Sequence, residues 1–518
     1  MNPLVRGNQP ISFPLTPLLC SLLLAFPTYA TPIATPGVYT LPNTSWVGPL
    51  LQLRNPTNTT TLNFDHALTI TNTQNDRGVP IQVVYSGDAF PATPRPNNYV
   101  TFQRSANTSD PDAGKLVIND TRTVRSDRSY VIWSYVGNNT LSFLGDVAIE
   151  THQTIQGSFE RVQILGTRAV GDRINFNRNV QVTNSAFAAP DAQTGTGVIS
   201  LISLFQATTN NIPTYVNTGL VFGVPGGNFQ TIVDNITGVL NAPQARMSIM
   251  NSNRTLNNYN TTSIQNIMFT NTGQRTAFYG QFSLEGVITN YAPVSIAHMR
   301  LVNASTDASD NFQAAFYAGP SATQPNISGD IINKAPISVN GLTLDTSASS
   351  SPTTLAALFG IRTLGGKILN EGDVNIAHLT QVGSTSQTSA GVRAEGSGSY
   401  VHFAANLAIT SIATSETAHQ ATASGIRAYD GGQITVAGTS IINEIASPTG
   451  TAYGVQAYPG VVTLNDQVSI QGLSGLSRYS LSAINDANND AIAARITLAP
   501  AAHHIEGDIE SRRAPDDL

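Results

Sequence analysis

Apolar and polar residues alternate along this chain in a nine-residue window that returns about every thirty residues. Residues 368–376 read ILNEGDVNI, 401–409 read VHFAANLAI and 462–470 read VTLNDQVSI. Each window is apolar-x-apolar, three turn-like residues, then apolar-x-apolar. Residues 434–442, ITVAGTSII, read as a looser copy, slipped by one residue in its second half. Earlier copies begin at Leu62 (LNFDHALTI), Leu141 (LSFLGDVAI), Ile174 (INFNRNVQV) and Ile288 (ITNYAPVSI). A shorter one begins at Ile337 (ISVNGLTL), and another opens at Ile496 (ITLAP). A second landmark precedes each regular window: FGIRT at Phe359, AGVRA at Ala390, SGIRA at Ser424 and YGVQA at Tyr453. Glycines follow it, at Gly365 and Gly366, Gly396 and Gly398, Gly431 and Gly432, and Gly460.

Alternation of this kind marks strands with one buried face. A unit of three short strands cannot bury its own apolar side, so a thirty-residue period implies stacking of successive units. No helical segment interrupts the repeat, which argues against ankyrin, leucine-rich and helical arrays. The pattern predicts an all-β chain, a right-handed parallel β-helix (β-solenoid) with three short strands per rung. The third window position faces inward and carries Phe64, Phe143, Phe176, Phe403 and Leu464, with Asn290 and Asn370 as polar exceptions. The second position faces outward, with His402, Thr435 and Thr463; Leu369 breaks that rule.

The G-[IV]-x-A landmark, glycine turn and strand-turn-strand window together resemble the passenger region of Gram-negative autotransporters, of the pertactin-like β-helix type. Near the end, His504 to Ile509 (HIEGDI) resembles the I-x-G-D-I element that closes such β-helices. The resemblance implies export, presentation at or release from a bacterial surface, and non-catalytic binding. It also implies a closing Trp-Gly segment and a translocator barrel; here the sequence ends at Leu518 after SRRAPDDL. Three readings of this departure stand open: the sequence is truncated, it is split from its translocator, or it is exported another way.

Composition sharpens this reading. Only 11% of the 518 residues are charged, against about 25% in ordinary globular chains. Lysine occurs only at positions 115, 334 and 367, and arginine reads as scattered. The net charge of −6 and the lack of a basic block give no signal for nucleic acid. Arg6, the apolar run 18–26 and the small-x-small site at Thr28, Tyr29 and Ala30 predict a Sec signal peptide over 1–30. Cys20 follows Leu19 rather than a small residue, so lipidation is not expected, and the mature chain would lack cysteine. No later apolar run is long enough for a membrane helix. The remaining organisation reads as a lead-in or cap over 31–60, an irregular β-helix with loop excursions over 61–336, regular repeats over 337–509 and a charged tail over 510–518. The stretch VISLISLFQA at Val198 reads equally as a buried strand or a helical turn.

Candidate chemistry is sparse. Serine-protease passengers carry G-D-S-G, but here Gly87-Asp88 precedes Ala89 and Gly145-Asp146 precedes Val147. Ser397 lies between Gly396 and Gly398 in a broken nucleophile elbow. His298 and His378 share one repeat phase with Asn72, Thr151 and Asn184, and all are expected to point into solvent. His503, His504 and Glu506 form the most suggestive metal cluster, yet adjacent histidines on a strand face opposite ways. Asp430-Gly431-Gly432 matches a calcium β-roll only in fragment. Asp373 and Asp466 occupy comparable turns three rungs apart, about 14 Å by strand spacing and too far for paired acid–base work. Asn290 and Asn370 are expected to satisfy backbone groups of turns. Arg-Gly-Asp is absent, and sequons such as those at Asn43, Asn107 and Asn303 are expected by chance in an Asn/Thr-rich chain.

No catalytic, cofactor-binding or metal residue is therefore assigned, and no cofactor. The expected function is adhesion, aggregation or display at the cell surface or outside a Gram-negative cell, with the periplasm as the location if the translocator is missing. Its partner would be a host or bacterial surface ligand, a glycan or a second copy. Two alternatives stand beside it: a carbohydrate-active β-helix enzyme, marked by clustered carboxylates in a groove, and a trimeric fibre, marked by an apolar stripe.

Overall fold

The structure, a computed structural model, describes residues 30–54, 58–73, 78–84, 97–125, 128–135, 139–157, 161–167, 171–191, 196–204, 219–306, 310–321, 324–349, 354–485 and 493–513. The signal-peptide run 18–26, Gly87-Asp88 and the last five residues of the charged tail lie outside them. Among the described residues there is no helix, and so none long and apolar enough to cross a membrane. The chain is a parallel β-helix of three strands per coil.

Short strands build the first sheet. Asn139–Phe143 pairs with Arg173–Phe176, and Gly219–Phe222, Thr255–Asn258, Val287–Asn290, Asp330–Asn333, Lys367–Asn370 and Tyr400–Phe403 follow in register. After a three-residue turn the chain enters the second sheet, where Val294–Asn303, Ile337–Asp345, Val374–Val382 and Leu407–Ala413 stack. The third sheet carries Arg275–Leu284, Asn311–Ser321, Leu355–Leu364 and Ser386–Glu395. Alternate residues of all three sheets close one continuous core.

The inward third position of the first sheet is a column with two chemistries. Phe102, Phe143, Phe176 and Phe222 stack face to face, with centroids 4.4, 4.9 and 5.3 Å apart. Each such pair adds roughly 0.5–1.5 kcal/mol beyond burial. Asn258, Asn290, Asn333 and Asn370 then take over, all fully buried. The Nδ2 of each donates to the Oδ1 of the next, at 3.1, 2.7 and 2.7 Å. Asn370 ends the ladder by donating to the His402 carbonyl at 3.3 Å, and Phe403 resumes the aromatic column. Asn290 and Asn370 thus serve mainly each other's ladder, with Gln281 bonded to Asn290, rather than the backbone of turns.

Several boundaries differ from the sequence reading, each for a physical reason. Ile337 does not open a coil. It pairs with Val374 in the second sheet, and its coil starts at Ile331, giving the full window IINKAPISV. Residues 434–442 are not slipped: Ile434 pairs with Val462 and Ile442 with Ile470, with Ser440 inward and Ile441 exposed. A further window, LNNYNTTSI at Leu256, is hidden because its inward Asn258 and Thr262 are polar and bond each other at 2.8 Å. Another coil is stretched, with its first-sheet strand Asn98–Arg104 and second-sheet strand Leu116–Val124 separated by residues 105–115. Residues 38–54 already supply a coil, whose three strands pair with Thr60–Phe64, Leu68–Asn72 and Ile81–Val84. Thr196–Leu204 is a strand buried on both faces, Ser200 and Ser203 included, which explains why it shows no simple alternation.

The phase shared by His298 and His378 splits in two. From Asn184 onward the second-sheet strand turns a corner through one left-handed residue: Asn184 (φ 50°), Asn235 (55°), Asn266 (54°), His298 (50°), Gly341 (69°) and His378 (54°). Asparagine and glycine tolerate that conformation best. Asn72 and Thr151 precede the first such corner and point inward instead. Both bond Asp120, which also pairs with Arg122 at 2.8 Å, a fully buried ion pair inside the solenoid.

Candidate functional site

The landmark G-[IV]-x-A shapes the third sheet. Gly360, Gly391, Gly425 and Gly454 sit where an isoleucine of the second sheet crosses the thin interior. A Cβ on them would lie 2.7, 2.7, 2.5 and 2.6 Å from Cγ2 of Ile376, Ile409, Ile442 and Ile470. The strand bends at this glycine. Ile361, Val392, Ile426 and Val455 follow it into the core. The next residue faces out, and in three consecutive coils it is arginine: Arg362 pairs with Arg393 and Arg393 with Arg427. Register partners on neighbouring coils lie about 4.8 Å apart, so the arginines form a ladder along the solenoid axis. Gln456 continues it on the next coil.

Aromatic rings pack around the ladder. The Arg362 guanidinium lies 4.6 Å from the Phe312 centroid and 5.2 Å from that of Phe359. Arg393 lies 5.4 Å from Phe359 and 4.9 Å from Tyr429, and Arg427 lies 5.1 Å from Tyr429. Tyr279, Phe282, Tyr317 and Phe359 form a second apolar cluster on the outside of the coil, separate from the core. Among the described residues one carboxylate pairs with the ladder: Glu395 meets Arg362 at 2.6 Å and Arg393 at 3.1 Å. Burial pushes the Glu395 carboxyl up, but Arg393 and Arg362 outweigh it and hold it below the usual range. Burial, then the neighbouring Arg427, brings Arg393 down to about 9, still charged at neutral pH.

Phe312, Tyr317, Phe359, Arg362, Arg393 and Glu395 line one end of a groove of about 840 Å³ that runs back across earlier coils to Arg161, and Arg427 stands one coil beyond them. Its lining holds five arginines (161, 246, 275, 362 and 393) against three carboxylates, Glu285, Asp310 and Glu395. Asp310 is within 3.6 Å of Arg275. Arg246 lies 5.3 Å from the Phe282 centroid, and its buried Nε has no hydrogen-bond partner among the described residues. On a chain of net charge −6, this face is locally cationic.

The residues singled out from sequence lie elsewhere. His298 and His378 occupy exposed left-handed corners of the second sheet. His503 bonds the Ala499 carbonyl at 2.8 Å while His504 meets Glu506 at 3.0 Å, so the two histidines take separate partners. Among the described residues no group of three or more His, Cys, Asp or Glu could hold a metal. Asp373 and Asp466 belong to a line of turn caps: Asp373 accepts from the Asn406 amide, Asn406 from the Thr439 amide, and Asp466 from the Thr439 hydroxyl. Asp430 is an exposed left-handed residue beside Gly431, and Ser397 is an exposed turn residue.

One expectation changes: arginine is not scattered. The signal was present in FGIRT, AGVRA and SGIRA, whose fourth residue is the ladder; reading the landmark for its glycine and apolar positions passes over it. No family model, curated protein or solved structure matches the chain.

Proposed function

We propose that this chain is an exported binding solenoid of the autotransporter-passenger type, held at or released from a Gram-negative surface. It acts by adhesion, aggregation or display and leaves its ligand chemically unchanged. The observation that carries the reading is the groove on the outer face of the third sheet, where arginines and aromatic rings from successive coils converge. Such a face gains affinity by adding modest contacts along its length.

A carbohydrate-active enzyme is the second reading, because Glu285, Asp310 and Glu395 line the same groove. A glycosidase needs one carboxyl held protonated as general acid. Glu395 is held ionised between two arginines instead, and Asp310 faces Arg275. A trimeric fibre would bury an apolar stripe. The exposed Val239 and Val382 share one column of the second sheet, but Thr270 and Asp345 interrupt it.

The test is display of the chain on cells as a fusion to a translocator barrel. Attachment and autoaggregation are scored for the full solenoid and for forms shortened coil by coil, beside a turnover assay on purified protein with polysaccharides. Gradual loss of attachment without turnover supports the proposal. Turnover abolished by one Asp or Glu substitution would replace it with the enzyme reading.

A further inference from the structure

We propose that the arginine ladder is a recognition site for a linear acidic glycan, bound along the solenoid axis with its carboxylates on Arg362, Arg393 and Arg427. The inference rests on the binding-solenoid reading and names the ligand class of its groove.

Three observations converge on it. First, the ladder has more cations than counterions. Three arginines stand on adjacent coils and repel one another, and one carboxylate, Glu395, is shared by two of them. The third, Arg427, stands beside the groove and has a buried Nε with no hydrogen-bond partner among the described residues, as does Arg246, which lines the groove. Buried donors without acceptors are rare in folded proteins, and here they are charged and line or adjoin an open groove. A bound carboxylate supplies the missing acceptor, and guanidinium forks match carboxylates in a bidentate manner.

Second, each ladder guanidinium is set over an aromatic ring. A guanidinium packed on a ring keeps its N–H donors at the in-plane edge. The ring contacts fix the forks before any ligand arrives, which lowers the ordering cost of binding.

Third, the same column changes chemistry along the axis. Phe282 and Tyr317 precede the arginines and Gln456 follows them. Tyrosines continue beside it, with Tyr429 and Tyr458 stacked at 5.8 Å and Tyr453 and Tyr479 at 5.7 Å. Aromatic faces suit the apolar faces of sugar rings, the amide suits hydroxyls, and the central arginines suit uronate carboxylates. A nucleic acid carries charge at every step and calls for a sustained basic stripe. This column is cationic over three coils, on a protein of net charge −6.

The experiment uses purified full-length mature chain and titration calorimetry with polygalacturonate, alginate and hyaluronan. Methyl-esterified polygalacturonate and single-stranded DNA serve as comparators. Binding to at least one acidic glycan is expected, weakening as salt is raised and falling about tenfold or more with the neutral ester. Arg427→Gln and Arg393→Gln are each expected to weaken binding about tenfold, while Arg300→Gln on the second sheet leaves it unchanged. Circular dichroism melts of each variant confirm the fold. Failure to bind any of the three glycans, equal affinity for acid and ester, wild-type affinity in both ladder variants, or tighter binding of DNA would each overturn the inference. Attachment by displayed cells separates the two levels. Cells that attach while the purified chain ignores acidic glycans refute this ligand class alone, whereas cells that do not attach refute the binding-solenoid reading itself.

Discussion

Gly425→Ala is the smallest perturbation that tests why the landmark glycine exists. Gly425 has no left-handed φ, so alanine meets no backbone penalty there. The added methyl would lie 2.5 Å from Ile442 Cγ2 and 2.7 Å from the Gly454 carbonyl oxygen, both well inside contact distance. Overpacking of this kind costs about 1–3 kcal/mol. Replacing glycine also stiffens the unfolded chain, which returns about 0.4–1 kcal/mol. The net expectation is a destabilisation of roughly 1–2 kcal/mol. The assay is urea unfolding of the purified chain followed by circular dichroism, read as a shift in midpoint at constant slope. A double-mutant cycle with Ile442→Ala isolates the cause. Ile442→Ala alone opens a cavity costing about 2–5 kcal/mol, and the alanine at 425 should fill part of it. The double variant should therefore be at least about 1 kcal/mol more stable than the two single effects added. Strict additivity, or a silent Gly425→Ala, would refute the packing of the third sheet against the second.

Three further expectations follow from the interior. Asn333→Ala breaks the asparagine ladder at both sides, leaving the Asn370 Oδ1 without its 2.7 Å donor and removing the acceptor of Asn290. The cost should be roughly 2–5 kcal/mol, and an unchanged urea midpoint would contradict the ladder. Phe403→Asp places a charge on a fully buried site and should lower stability by several kcal/mol, on the order of 4. His402→Asp, on the half-buried outward neighbour, should change it by less than about 1 kcal/mol, so equal shifts in melting temperature would reverse the assigned phase. Burial, ahead of bonds from Asn139 and Ser134, pushes the Asp172 carboxyl well above its ordinary value of 3.8. Its neutral form is favoured by folding, so the stability it contributes is complete below the ordinary range and is lost as pH rises through its raised pKa. Asp172→Asn should therefore gain stability over the parent on going from acidic to mildly alkaline pH; melting curves that stay parallel across that range would contradict the burial.

The architecture was legible wherever the inward positions were apolar. Windows at Leu141, Ile174, Ile368 and Val401 declare themselves because Phe143, Phe176, Ile368 and Val401 obey binary patterning. The coil at Leu256 was not legible, because Asn258 and Thr262 satisfy each other inside and read as surface. Asn72 and Thr151 read as solvent-facing for the same reason: the buried network they form around Asp120 and Arg122 has the composition of a solvated face. The window at Ile337 reads one strand late because the inward Asn333 masks the true start at Ile331. The groove escaped because it lies on the outer side of strands read only for their inner side. Its arginines are about thirty residues apart in the chain, and strand register alone makes them neighbours.

We assign ligand binding to the outer face of the third sheet. The most direct test is the attachment of cells displaying Arg393→Gln/Arg427→Gln, beside cells displaying Arg300→Gln on the second sheet at matched surface density. The surfaces are a host-cell monolayer and a lawn of the same displaying cells, and the readout is the fraction retained under flow. The ladder variant is expected to lose most of its attachment while the Arg300 variant retains it, both with parental melting curves. Retention by the ladder variant equal to that of the parent would contradict the assignment.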